Sequence, residues 1–172
     1  MMNFRDLTEK DIECRVQSVK ETGLVLLLYK NARVDMNILD ETVGAENWQR
    51  DHYECKGNLF CRVGINVNYD KPDAEKWVFK SDCGTESNTE AQKGEASDSF
   101  KRAGFYWGIG RELYTSPFIW ITEEKCNIKN FNGKYQCYDK FSVEKIKIED
   151  KQIKAIAIRN DTKKERAYVW QE

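Results

Sequence analysis

The chain is short of the residues that break or loosely join domains: it has two prolines in 172 residues and no low-complexity tract. Long flexible linkers are therefore not expected. It has a single histidine, His52, and none of its six cysteines (Cys14, Cys55, Cys61, Cys83, Cys126, Cys137) forms a C-x-x-C. A zinc site would have to join Cys55 and Cys61 to distant ligands, so reduced thiols in a cytosolic protein are the simpler reading. The longest apolar run, Leu24 to Tyr29, is far too short to span a bilayer. Met1 to Lys10 is charged and lacks the apolar stretch of a secretory signal, which predicts a cytoplasmic protein with no membrane partner. G-x-S-x-G, H-E-x-x-H and G-x-x-x-x-G-K-[ST] are all absent. Hydrolase and P-loop readings thus lack their central parts, and no cofactor is expected. Nor is there a surplus of positive charge. At a net charge of −1 the chain would have to grip any polyanion in a local groove, not on a globally basic body.

What is present fits an ordinary folded protein, 40% hydrophobic and 33% charged, long enough for one sizeable core. Glu13 to Lys20 alternates loosely, as a first strand does, and Thr22-Gly23 breaks it. Leu24 to Tyr29 reads as a buried strand or a short linker in the core. Met36, Leu39 and Val43 keep helical spacing, with Gly44 placed to end that helix. Three strand-like segments follow: Trp48 to Cys55, Leu59 to Val67 and Trp77 to Asp82, separated by turns at Lys56-Gly57-Asn58 and Asp70-Lys71-Pro72-Asp73. They predict an antiparallel β-β-β meander.

The stretch from Ser87 to Pro117 predicts a long helix. Ser87 and Glu90 have the spacing of a capping box, and Ala91, Ala96, Phe100, Ala103, Trp107 and Gly110 form a narrow apolar face. Gly104, Gly108 and Gly110 each cost about 1 kcal/mol relative to Ala inside a helix. They require close backbone approach there, or an end to the helix. Beyond Pro117, Asn132-Gly133 and Asp150-Lys151 are turn signals, and Ser142 to Ile148, Ile153 to Ile158 and Arg166 to Trp170 alternate as strands. The expected class is α+β: a meander packed against a long helix, with a small C-terminal β extension. Residues 1–121 form the core (β-α-β-β-β-α) and residues 122–172 a lysine-rich extension.

Basic residues interleave with flat ones in this core. Lys101, Arg102, Arg111, Arg50 and Arg62 can neutralise phosphates, while Tyr29, Trp48, Tyr53, Phe105, Tyr106 and Trp107 offer faces on which unpaired bases stack. A sequence-indifferent single-strand groove needs this combination. Core packing for the tryptophans and a solvated helix face for Lys101 and Arg102 account for the same residues without DNA. Asp51, Glu54, Asp82 and Glu86 supply the carboxylates that a metal-dependent nuclease would use, and an adaptor that binds no DNA is a further alternative.

Several fragments in order resemble the single-strand annealing proteins of recombination, the Rad fifty-two superfamily with its phage Sak-type branch. They are VGAENW (43–48), LFCRVGI (59–65), SDCGTES (81–87) and, most specifically, EASDSFKRAGFYWGIGRELY (95–114). The similarity spans roughly residues 25 to 121. It implies a non-enzymatic, ATP-independent, phage-encoded protein that forms homo-oligomeric rings and pairs complementary single strands, with a single-strand DNA-binding protein as a further partner. It places Lys101 and Arg102 at phosphate-contacting positions of the helix, and Tyr29 where a groove tyrosine precedes the first helix. Phe105 stands where the eukaryotic branch carries a basic residue, and nothing from Cys126 onward has a counterpart.

Overall fold

Short turns set the strand order. Lys56-Gly57, Asn132-Gly133 and Asp150-Lys151 all have positive φ at both residues, from 51° to 84°. That is the turn whose twist matches two antiparallel strands, and each joins neighbours in register. The computed structural model describes residues 2–71, 73–85 and 91–172. The capping box at Ser87 and Glu90 and the turn residue Pro72 lie outside the described residues. The fold is mixed α+β, mostly antiparallel, with two α-helices among the described residues. None of the described helices is long and apolar enough to cross a membrane.

The chain divides into two compact units, residues 1–5 with 31–110, and residues 6–30 with 111–172. The first contains α1 (Ala32–Val43), strands β3 (Trp48–Cys55), β4 (Asn58–Asn66) and β5 (Trp77–Cys83), and α2 (Ala91–Trp107). Asn31 caps α1 by accepting the Arg33 amide at 2.9 Å, and Gly44, at φ 86°, ends it. The three strands form one antiparallel sheet in the order β3-β4-β5. Cys61, Val63 and Ile65 of β4 are fully buried beneath α2, as are Phe100 and Ala103 on the helix. The helix ends at Trp107, so of the three glycines only Gly104 lies within it, and Gly104 and Gly108 act in different ways. A Cβ at Gly104 would stand 2.5 Å from Asp35 Oδ1, so its bareness admits α1's buried aspartate. Gly108, at φ 97°, ends the helix in a paired cap: Gly108 N–H donates to Phe105 O and Ile109 N–H to Gly104 O.

The second unit holds β1 (Glu13–Lys20), β2 (Gly23–Tyr29), β6 (Ile119–Thr122), β9 (Phe141–Glu149), β10 (Gln152–Asn160) and β11 (Glu165–Gln171), plus a separate hairpin of β7 (Ile128–Phe131) and β8 (Lys134–Cys137). Its sheet runs β11-β10-β9-β1-β2-β6. The two edges curl towards each other, with Tyr168 Oη donating to Phe118 O at 3.2 Å, so the sheet approaches a barrel. Leu24, Leu26, Ile119, Ile121, Val143, Ile153, Ile156 and Ile158 fill its interior.

This corrects the expected architecture in three respects. The meander β3-β4-β5 is present, but the larger sheet is the six-stranded one. Leu24 to Tyr29 is a strand, so two strands precede α1. The strands of residues 141–171 are not a sheet of their own: β9 pairs with β1, so β9, β10 and β11 share one sheet with β1, β2 and β6. Alternation shows that a Val/Ile-lined segment needs a covered face, but not which distant strand supplies its neighbour.

Candidate functional site

Residues of β3, β4 and β5 alternate between the face under α2 and the opposite face. Trp48, Arg50, His52 and Glu54 lie opposite Ile65, Val63, Cys61 and Leu59, on the helix side. Asp51 and Tyr53 lie opposite Arg62 and Phe60, on the outer side. The sheet therefore separates the basic residues predicted to act together.

On the helix side, Arg50 lays its guanidinium over the Phe100 ring, 4.5 Å from the centroid, and Trp48 stacks on the same ring. Trp48 Nε1 donates to Asp40 Oδ1 at 2.6 Å, tying β3 to α1. Lys80 of β5 reaches over the Trp107 ring at 4.5 Å and donates to Tyr106 O at 2.9 Å. Trp107 Nε1 donates to Val63 O, so this ring packs against β4 with its polar edge satisfied. Arg102 Nε stands 3.2 Å from Asp82 Oδ2, an ion-pair distance without the alignment of a hydrogen bond. Lys101, beside it, is half-buried and makes no hydrogen bond or ion pair among the described residues. Tyr106 is 53% exposed one turn beyond Arg102.

On the outer side, Arg62 makes two hydrogen bonds to Asp51, at 3.1 and 2.8 Å, and lies over the Phe79 ring. The pairing holds the Asp51 carboxyl below its usual range and raises the Arg62 guanidinium. Tyr53 stacks on Phe60 and Trp77 on Phe79. The sequence predicts Arg62 as a phosphate partner; the structure pairs it with Asp51 among rings.

Tyr29 and Arg111 belong to the second unit. The Tyr29 hydroxyl donates to Glu13 Oε2 at 2.5 Å, and that bond, with burial, pushes its pKa up to about 12. Its ring remains 36% exposed. Arg111 is exposed at the start of a 3-10 turn over Arg111–Thr115.

The nuclease carboxylates do not converge, since Asp51 occupies the outer face while Glu54 and Asp82 occupy the helix side. Glu86 lies outside the described residues. Cys55 and Cys61 are divided in the same way, and burial pushes the Cys61 thiol up to about 11. Among the described residues no group of three or more His, Cys, Asp or Glu side chains is placed to hold a metal ion.

Sequence reasoning missed Lys80, which completes the strip of Arg102, Tyr106 and Trp107. Its signal was the alternation of β5, which puts Val78, Lys80 and Asp82 on one side. The chain matches no protein-family model, no curated protein and no solved structure.

Proposed function

We propose that the protein is a non-enzymatic, ATP-independent single-strand annealing protein of recombination. It holds single-stranded DNA by the backbone and pairs complementary strands. It is phage encoded and works in the host cytoplasm as a homo-oligomeric ring beside a single-strand DNA-binding protein. The observation that carries this reading is Lys101: a half-buried cation without a partner among the described residues, next to Arg102 on α2. A charge that loses hydration without gaining a counter-ion is poised for an external anion. Lys80 and the exposed Tyr106 ring add a further cation and a stacking face along the same helix end. Phosphate contacts with no readout of base edges suit annealing, because the edges must stay free to pair. Many modest sites in a ring sum to tight binding, which reconciles the activity with a net charge of −1. The outer edges of β3 and β5, unpaired among the described strands, are available to neighbouring subunits.

The test is annealing of two complementary labelled oligonucleotides without ATP, comparing the wild type with Lys101→Ala/Arg102→Ala. The expected result is faster annealing by the wild type, and loss of about two phosphate contacts by a folded double variant. The logarithmic salt slope of binding then falls by about 1.4. Degradation of the strands on adding magnesium would replace this reading with the nuclease. A wild type that neither binds nor anneals at low salt would leave the adaptor.

A further inference from the structure

The outward face of the second unit's sheet has a gap in the middle of β10. Cross-strand registers set Ala155 between Lys147 of β9 and Gln171 of β11, and Ala157 between Lys145 and Val169. The inward positions of β10 are Ile153, Ile156 and Ile158, all buried. Outward it carries alanine, which fits a strand surface poorly compared with Val, Ile or Thr. Because the central strand bears two methyl groups between longer neighbours, a trough of about 360 Å³ opens along it. Its floor is apolar, and Val169 on its rim is 62% exposed.

The charge around the trough has one sign. Lys145, Lys147 and Arg166 line it, and no carboxylate does. Arg166 is held from outside by Glu144, and Lys147 by Glu149. Lys145 is exposed and makes no hydrogen bond or ion pair among the described residues. Two same-face residues on a strand stand about 7 Å apart, so Lys145 and Lys147 form a short cationic rail beside a flat apolar floor. An anion on the rail, carrying a planar body over the floor, satisfies both features.

We propose that this trough is a second contact for single-stranded DNA, with a phosphate on Lys145 and Lys147 and the attached base against Ala155, Ala157 and Val169. This rests on the annealing reading and gives residues 141–171 a part in it.

The test measures binding of a labelled oligothymidylate to the full chain across a salt series. It compares the wild type with Lys145→Gln/Lys147→Gln, Ala155→Val and Lys101→Ala/Arg102→Ala. The lysine double variant is expected to bind about tenfold more weakly, with the logarithmic salt slope lower by about 0.7, the value for one phosphate contact. Ala155→Val is expected to weaken binding without changing that slope. Its thermal stability is retained or raised, because valine suits a strand better than alanine, and this separates filling the trough from damaging the sheet. If Lys101→Ala/Arg102→Ala weakens binding while both trough variants bind like the wild type, the trough proposal falls and the annealing reading stands. If the wild type binds no oligothymidylate at low salt, both fall together.

Discussion

The two units carry their positive charge differently. In the first, Arg50 rests on Phe100 and Lys80 on Trp107 with no carboxylate partner among the described residues, while Arg62 lies over Phe79 but is paired with Asp51. In the second, cations are mated with carboxylates, as in Lys151–Asp6, Lys154–Glu172, Lys125–Glu165 and Arg166–Glu144. A ring orients a cation while leaving N–H groups free for another acceptor, whereas a carboxylate consumes them. Net charge therefore says little about where an anion can be held. What counts is how many cations are positioned without being neutralised. In the first unit Lys101, Arg50 and Lys80 approach that condition; in the second, Lys145 stands out among paired neighbours.

The largest expected effect comes from removing the ring that supports this arrangement. Phe100 is fully buried, stacks on Trp48 and lies beneath Arg50. Phe100→Ala is expected to cost about 3–5 kcal/mol. Urea denaturation gives the loss, and amide exchange shows whether it concentrates in β3, β4 and α2. Loss spread evenly over both units would break the comparison. A smaller cost, about 1–3 kcal/mol, is expected for Gly104→Ala, whose new methyl group meets Asp35 Oδ1. A thermal melt matching the wild type would show that α1 yields at that contact.

The smallest effect concerns thiol chemistry and leaves the fold untouched. Cys55 of the first unit is exposed, while burial pushes Cys61 up to about 11 and both Cys14 and Cys126 of the second unit up to about 12. A raised thiol pKa means less thiolate at mildly alkaline pH, so those three react slowly until the pH climbs towards 11. Brief alkylation near pH 8, read by peptide mass spectrometry, should label Cys55 ahead of them. Early labelling of Cys126 would mean that the second unit opens more readily than its burial implies.

Local features were legible in the sequence and distant pairings were not. Asn132-Gly133 and Asp150-Lys151 announced their hairpins, because two residues that both accept positive φ determine what their neighbours do. Gly44 likewise marked the end of α1. The joining of β9 to β1 was hidden, since alternation carries no address. Arg62 shows a partner missed by one residue of register. With Lys56-Gly57-Asn58 taken as the turn, the register of β3 on β4 stays open. With the two-residue turn Lys56-Gly57, Cys55 faces Asn58, and counting outward sets Asp51 opposite Arg62. The carboxylate that pairs with this arginine was thus within reach of the sequence. Lys101 was visible as a basic helix residue, but that it makes no hydrogen bond or ion pair among the described residues is a property of the folded neighbourhood alone.

One pairing bears on how the second unit assembles. The pairing of β1 with β9 is a single residue pair, Glu13 with Ser142. On one side of this seam β1 and β2 form a tight hairpin; on the other β9, β10 and β11 follow one another through short turns. The hairpins on each side close only short loops, whereas the seam joins residues far apart in the chain, as the longer β2–β6 ladder also does, and has little ladder bonding to offset its closure entropy. The β1–β2 hairpin and the β9-β10-β11 meander are therefore expected to form early and independently during refolding, with the seam closing last. It is also where the six-stranded sheet should first come apart when pulled.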